Sequence, residues 1–156
     1  MEKKLILRKA IIHDVEGIHS LLLKFGKQGK LLPRSLSNLY SSVRDFFVVV
    51  DSNGKVYGCG ALAIIWKDLA EIRSVAVSEE FQKKGWGKRI VEACLSEALT
   101  LGIYRVFVLT YEKTFFAKFG FVEVDKKDLH EKIWIDCFNC PKYPDNCDEI
   151  AMMINL

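Results

Sequence analysis

No apolar run in this sequence is long enough to span a membrane. The longest, Phe46 to Val50 and Cys59 to Trp66, fall far short of the ~20 residues that a spanning helix needs. Met1 to Arg8 offers only the short apolar stretch Leu5 to Leu7, too little for a secretory signal, so a cytoplasmic chain without membrane association is expected. Excess charge is also scarce. Lys+Arg 23 against Asp+Glu 20 leaves +3, too small to indicate nucleic acid but suited to a small anionic ligand. Proline occurs 3 times in 156 residues, and no Pro/Ser-rich linker, low-complexity tract or internal repeat divides the chain. The cysteines number 5, an odd count that argues for reduced thiols rather than a disulfide framework. What is present is ordinary globular composition, 50% hydrophobic and 28% charged, which excludes global disorder. The length suits one domain over residues 1–156 with a real core.

Leu5 to Lys9 reads as an opening strand. Asp14 can cap a helix carrying Val15, Ile18, Leu22 and Phe25 at helical spacing, with Gly26 and Gly29 ending it. Ser35 can cap a second helix carrying Leu36, Leu39, Tyr40 and Val43. Phe46 to Val50 and Lys55 to Trp66 read as strands joined by an Asn53-Gly54 hairpin turn, and Leu69 to Val77 as a third strand after a tight turn. The clearest helix follows Gly85-Trp86-Gly87 and bears the stripe Ile90, Val91, Cys94, Leu95, Ala98 and Leu101, ended by Gly102. Tyr104 to Thr110 reads as a largely apolar strand, followed by a short helix near Thr114 to Lys118, a strand from Phe121 and a closing strand from Glu149 to Leu156. This order predicts an α/β (α+β) domain on a mixed central sheet with helices on both faces.

The chemistry concentrates between Glu71 and Lys88. A strand ends at Val75-Ala76-Val77, and Gln82-Lys83-Lys84-Gly85-Trp86-Gly87-Lys88 opens directly into the helix. A helix N-terminus leaves backbone N–H groups unpaired and carries partial positive charge, so it holds phosphate well. Gly85 and Gly87 let a diphosphate approach those amides, and Lys83, Lys84, Lys88 and Arg89 add positive charge. The plainer reading is a helix cap beside a solvated basic face. No G-x-x-x-x-G-K-[ST] string occurs, which excludes a P-loop. Gly58 to Ala63 matches the dinucleotide string G-x-G-x-x-A but lies inside an apolar strand, so it is rejected.

Gln82 to Gly87 resembles the (Q/R)-x-x-G-x-(G/A) signature of the GCN5-related N-acetyltransferases, the GNAT superfamily. Phe115 to Phe121 is similar to its second motif, F-Y-E-K-x-G-F. Leu31 to Ser35, Ala70 to Val77, Arg105 to Tyr111 and the tail from Lys132 to Met152 resemble short N-acetylglutamate synthases of arginine biosynthesis. The resemblance implies a GNAT fold and acetyl-CoA as co-substrate, with no catalytic metal. Its pantetheine arm would pair with Val75, Ala76 and Val77, and its diphosphate would rest on Gln82 to Lys88. Glu71 is the candidate general base, since an ammonium ion must lose a proton before it can attack. A Glu71–Arg73 surface ion pair is the structural alternative. A strand amide near Val75 or Ala76 could stabilise the oxyanion. The superfamily's tyrosine acid aligns with Phe116, which has no proton to give but would still line the cofactor. Tyr111 is the one named substitute, although a thiolate leaves readily without acid help. A glutamate acceptor calls for guanidinium or ammonium partners, for which Arg34, Arg73 and Lys132 are the candidates.

Cys137, Cys140 and Cys147 have C-x2-C-x6-C spacing. That spacing makes them weak metal candidates lacking a certain fourth ligand, with reduced packing cysteines or a redox-sensitive pair the other readings. Residues 130–148 are expected to form an ordered, irregular segment before the closing strand. The leading expectation is acetyl transfer to the α-amine of glutamate, with small-molecule substrates only and homodimerisation left open. The alternatives are a GNAT enzyme for another amino acid, a small amine or a protein N-terminus, and a non-catalytic acetyl-CoA sensor.

Overall fold

The computed structural model describes residues 3–27, 34–129 and 149–156. The strands are β1 (Ile6–Lys9), β2 (Phe46–Val50), β3 (Val56–Trp66), β4 (Leu69–Val77), β5 (Arg105–Thr110), β6 (Val122–Glu123) and β7 (Ile150–Asn155). They form a seven-stranded sheet in the order β1-β2-β3-β4-β5-β7-β6. Pairing is antiparallel at β1/β2, β2/β3, β5/β7 and β6/β7 and parallel at β4/β5, so the sheet is mixed. The helices are α1 (Val15–Lys27), α2 (Leu36–Ser41), α3 (Trp86–Thr100) and α4 (Lys113–Ala117). The fold divides into two compact units. The first comprises the chain up to Leu62 with Ile72–Glu97, and the second Ala63–Glu71 with the chain from Ala98.

In the first unit, Val15, Ile18, Leu22 and Phe25 of α1 pack with Val48 and Val50 of β2 and Cys59 and Ala61 of β3. Successive strand residues point to opposite faces, so Gly60, between Cys59 and Ala61, belongs to the other side. There it meets α3: a Cβ on Gly60 would lie 2.4 Å from Ile90 Cγ2 and 3.3 Å from Val75 Cγ2. Helices thus cover both faces of β3, and Gly60 is the residue that lets α3 come close. The string rejected as a dinucleotide motif owes its glycines to packing. Gly58 likewise lies against Val49, and a Cβ there would come 3.4 Å from the Ala76 carbonyl oxygen.

Several boundaries differ from the sequence reading for local reasons. Asp14 does not act as a simple cap. It ends a 3-10 turn over Ile12–Asp14, accepts from the Ile11 N–H at 2.8 Å and takes two guanidinium bonds from Arg8 at 2.7 and 3.1 Å. Gly26 stays inside α1, which runs on to Lys27. Ser35 does cap α2, its Oγ accepting from the Asn38 N–H at 3.0 Å. The Asp51–Gly54 turn forms as expected, with Gly54 at φ +81° and the Asp51 carboxylate accepting from the Asn53 and Lys55 amides.

The second unit packs Ala63 and Ile65 of β3, Leu69 of β4, Phe107 of β5 and Ala151 and Met153 of β7 around Leu129. Gly102, at φ +79°, ends α3 with paired bonds, Ile103 N–H to Ala98 O at 2.8 Å and Gly102 N–H to Leu99 O at 3.0 Å. The β4/β5 register covers Leu69↔Arg105 to Glu71↔Phe107, although β5 continues to Thr110.

Candidate active site

The first unit contains the loop that joins β4 to α3. The first helical bond of α3 runs from the Arg89 N–H to the Gly85 carbonyl at 3.1 Å. The amides of Trp86, Gly87 and Lys88 therefore precede the helical ladder and open from its positive end. Gly85 is left-handed at φ +89° and Lys83 at φ +61°. Alternation of backbone hand of this kind turns successive N–H groups toward one side and makes an anion cradle. Gly85 suits the role: nothing lies within 4 Å of where its Cβ would be. Gln82 fixes the loop to the strand end by donating from Nε2 to the Val77 carbonyl at 2.8 Å. Lys83, Lys84 and Lys88 are exposed, and the Arg89 guanidinium stacks 4.4 Å above the Trp86 ring. These residues have the geometry to hold a diphosphate.

On β4 the feature missed in the sequence is Ser74, left-handed at φ +58° within a strand. A residue in that conformation marks a bulge and breaks the strict two-residue alternation. Residues 71 and 73 therefore share one alternation and residues 75 and 77 another. The Arg34 guanidinium reaches this bulge, donating from Nε to Ser74 Oγ at 3.1 Å and from Nη1 to Asn38 Oδ1 at 3.3 Å. Arg34 is thereby brought to the residue next to Arg73. Asp45, at the end of a 3-10 turn before β2, belongs to the same cluster. Burial pushes its carboxyl above the usual aspartate range, against the opposing pull of Arg73, Lys9 and Arg34. No sequence signal marked Asp45, since its neighbours come from distant segments.

In the second unit, Glu71 is buried at 4% exposure at the last residue of the β4/β5 register. An ionisable side chain buried this far is uncommon, which supports a chemical role for it. Tyr111 follows directly on β5 and is exposed at 38%. It lies four residues beyond the partner of Glu71, about 13 Å along the strand direction. Phe116 is buried in an aromatic cluster, its centroid 5.0 Å from that of Phe115 and 5.4 Å from that of Phe121. Lys132, Cys137, Cys140 and Cys147 lie outside the described residues. Among the described residues no group of three His, Cys, Asp or Glu could hold a metal, and no helix is long and apolar enough to cross a membrane.

A strand, a bulge and a basic, glycine-bearing turn into a helix suit one cofactor class, and comparison with known proteins decides the family. Residues 17–121 match the Acetyltransferase (GNAT) family. The chain belongs to that family. It is similar to an amino-acid acetyltransferase of Mycobacterium tuberculosis, 44% identical over 77% of this chain and 70% of that protein. A Mycobacterium tuberculosis structure solved in complex with CoA superposes with a TM-score of 0.83 at 34% identity, covering 97% of this chain and 99% of that one. The N-acetylglutamate synthase of Neisseria gonorrhoeae, complexed with coenzyme A and N-acetyl-glutamate, also gives 0.83, at 26% identity. It covers 100% of this chain, which spans only 36% of that protein. The protein is thus a GNAT-fold, acetyl-CoA-dependent acyltransferase.

Proposed function

We propose that this GNAT enzyme acetylates the α-amine of glutamate. The observation that carries the reading is the Arg34 to Ser74 hydrogen bond, which sets two arginines beside one bulge. Guanidinium groups are the residues of choice for carboxylates because their forked donors match two oxygens at once. Glutamate has two carboxylates, and Arg34 and Arg73 are the groups we assign to them. A polyamine would require the opposite charge there. The Asp45 carboxylate is already set among Arg73, Lys9 and Arg34. The amino-acid acetyltransferase and N-acetylglutamate synthase relatives support the same acceptor class.

In this reading the CoA diphosphate rests on the Trp86, Gly87 and Lys88 amides and the pantetheine arm follows β4 at Val75 to Val77. Glu71, directly or through water, removes the proton from the ammonium group. The free amine attacks the thioester carbonyl carbon, and a strand amide holds the oxygen as it gains charge. The C–S bond then breaks, the nitrogen gives up its second proton to solvent as the amide forms, and CoA leaves as thiolate, which accepts a proton from solvent or from Tyr111. Phe116 supplies none. A thiol ionises near ~8.5, so acid help is dispensable.

Acceptor analogues test the assignment. Glutamate should have a higher kcat/KM than glutamine or the 1-amide of glutamate, each of which lacks one carboxylate. Equal kcat/KM for all three would remove the two-arginine pocket.

A further inference from the structure

The buried Cys59 thiol of β3 contacts the backbone of the neighbouring strand β4. Its S–H donates to the Ser74 carbonyl at 3.3 Å. The thiol thus holds the carbonyl of the residue just before Val75, at the point where Ser74 turns left-handed within the strand. Cys59 is 0% exposed, and burial pushes its thiol up to about 12. The proton therefore stays on sulfur throughout the neutral range, and donation to Ser74 persists.

The consequence follows from peptide geometry. Across a planar trans peptide the C=O and N–H point in opposite directions. The Ser74 carbonyl points toward the Cys59 thiol, so the Val75 N–H of the same peptide points away from it. Of the two amides considered for the oxyanion, Val75 is the one this contact orients.

We propose that Cys59 is a positioning residue. Its thiol holds the Ser74 carbonyl, fixes the bulge and so aims the Val75 amide at the thioester carbonyl. Arg34 holds the same bulge through Ser74 Oγ, so the thiol sets the backbone and the arginine sets the side chain of a single residue. This inference rests on the reading of β4 as the acetyl-CoA strand. It adds a role for a residue with no reactive chemistry of its own.

The test compares Cys59→Ser, Cys59→Val and Cys59→Ala in the full chain with wild type. The measurements are acetyl-CoA-dependent thiol release, calorimetric affinity for CoA and acetyl-CoA, and thermal midpoint. Serine keeps a donor and an acceptor, and its kcat should stay within about threefold of wild type. Valine fills the space without either, and kcat should fall about tenfold to a hundredfold, as for a misaimed oxyanion donor. CoA affinity should change less than about threefold, because the diphosphate loop is untouched. The serine/valine pair carries the comparison even if the alanine variant does not fold. Wild-type kcat in the valine variant would overturn the proposal, as would serine losing as much kcat as valine. If wild type releases no thiol with any amine, the acceptor reading fails. The Cys59 role is then judged by the ratio of acetyl-CoA to CoA affinity, which valine should lower and which an uninvolved thiol would leave unchanged.

Discussion

Arg34 Nε donates to Ser74 Oγ at 3.1 Å, across 40 residues of sequence. The bond links the segment before α2 to the bulge of β4. It makes Arg34→Ala informative. Removing the guanidinium should raise the glutamate KM about tenfold to a hundredfold, the range for a charge-assisted bidentate contact, while the acetyl-CoA KM moves less than about threefold. Arg34→Lys should recover little, since an ammonium group cannot reproduce the fork. Steady-state kinetics with each substrate varied in turn checks both points, and parallel rises in the two KM values would contradict the assignment.

Glu71→Gln should lower kcat about a hundredfold or more at pH 7, the scale of a lost general base. The deficit should shrink as pH rises and more acceptor amine is already free of its proton. A pH–rate profile from pH 6.5 to about 10 reads this directly. A deficit that is constant with pH would leave Glu71 a structural role only.

Two glycine changes should separate cofactor binding from packing. Gly85→Ala places a side chain on a residue at φ +89° in open space, beside the proposed diphosphate. It should cost about 1 kcal/mol in stability and raise the acetyl-CoA KM more than the acceptor KM. Gly60→Ala drives a methyl to 2.4 Å from Ile90 Cγ2 and must displace α3. That should cost about 1–3 kcal/mol in denaturant unfolding. A Gly85 variant with wild-type acetyl-CoA KM would dissociate the loop from the cofactor.

Acid sensitivity should centre on Asp14. Burial opposes its ionisation, but the Arg8 hydrogen bonds and the Ile11 N–H outweigh this and hold the carboxyl below its usual range. A depressed folded value means the stabilisation is complete above the ordinary aspartate value of 3.8 and is lost as pH falls through the folded one. Asp14→Asn should therefore destabilise by about 2–3 kcal/mol at pH 7, with Arg8 left beside a neutral group. The difference from wild type should narrow at the acid end of a pH series of thermal melts.

Much of this was legible in the residues themselves. Asn53-Gly54, Gly85-Trp86-Gly87 and Gly102 each carry a local backbone demand, and each appears where the spacing put it. The α3 stripe is buried at Ile90, Val91, Cys94 and Ala98, whereas Leu101 falls beyond the helix and is exposed. What escaped were non-local features. Serine is a rare occupant of left-handed backbone, so nothing in Arg73-Ser74-Val75 announced a bulge. The role of Cys59 depends on β3 lying next to β4, and that of Asp45 on charges from three distant segments. Such positions are set by the assembled sheet, not by local propensity.

The acceptor is the central claim, and product analysis tests it most directly. The full chain is incubated with acetyl-CoA and, separately, glutamate, glutamine, other amino acids, putrescine and an N-terminal peptide. Thiol release is followed and each product is identified by mass spectrometry. The account predicts N-acetylglutamate at the highest kcat/KM of the panel. Turnover confined to putrescine or the peptide, with none on glutamate, would contradict it.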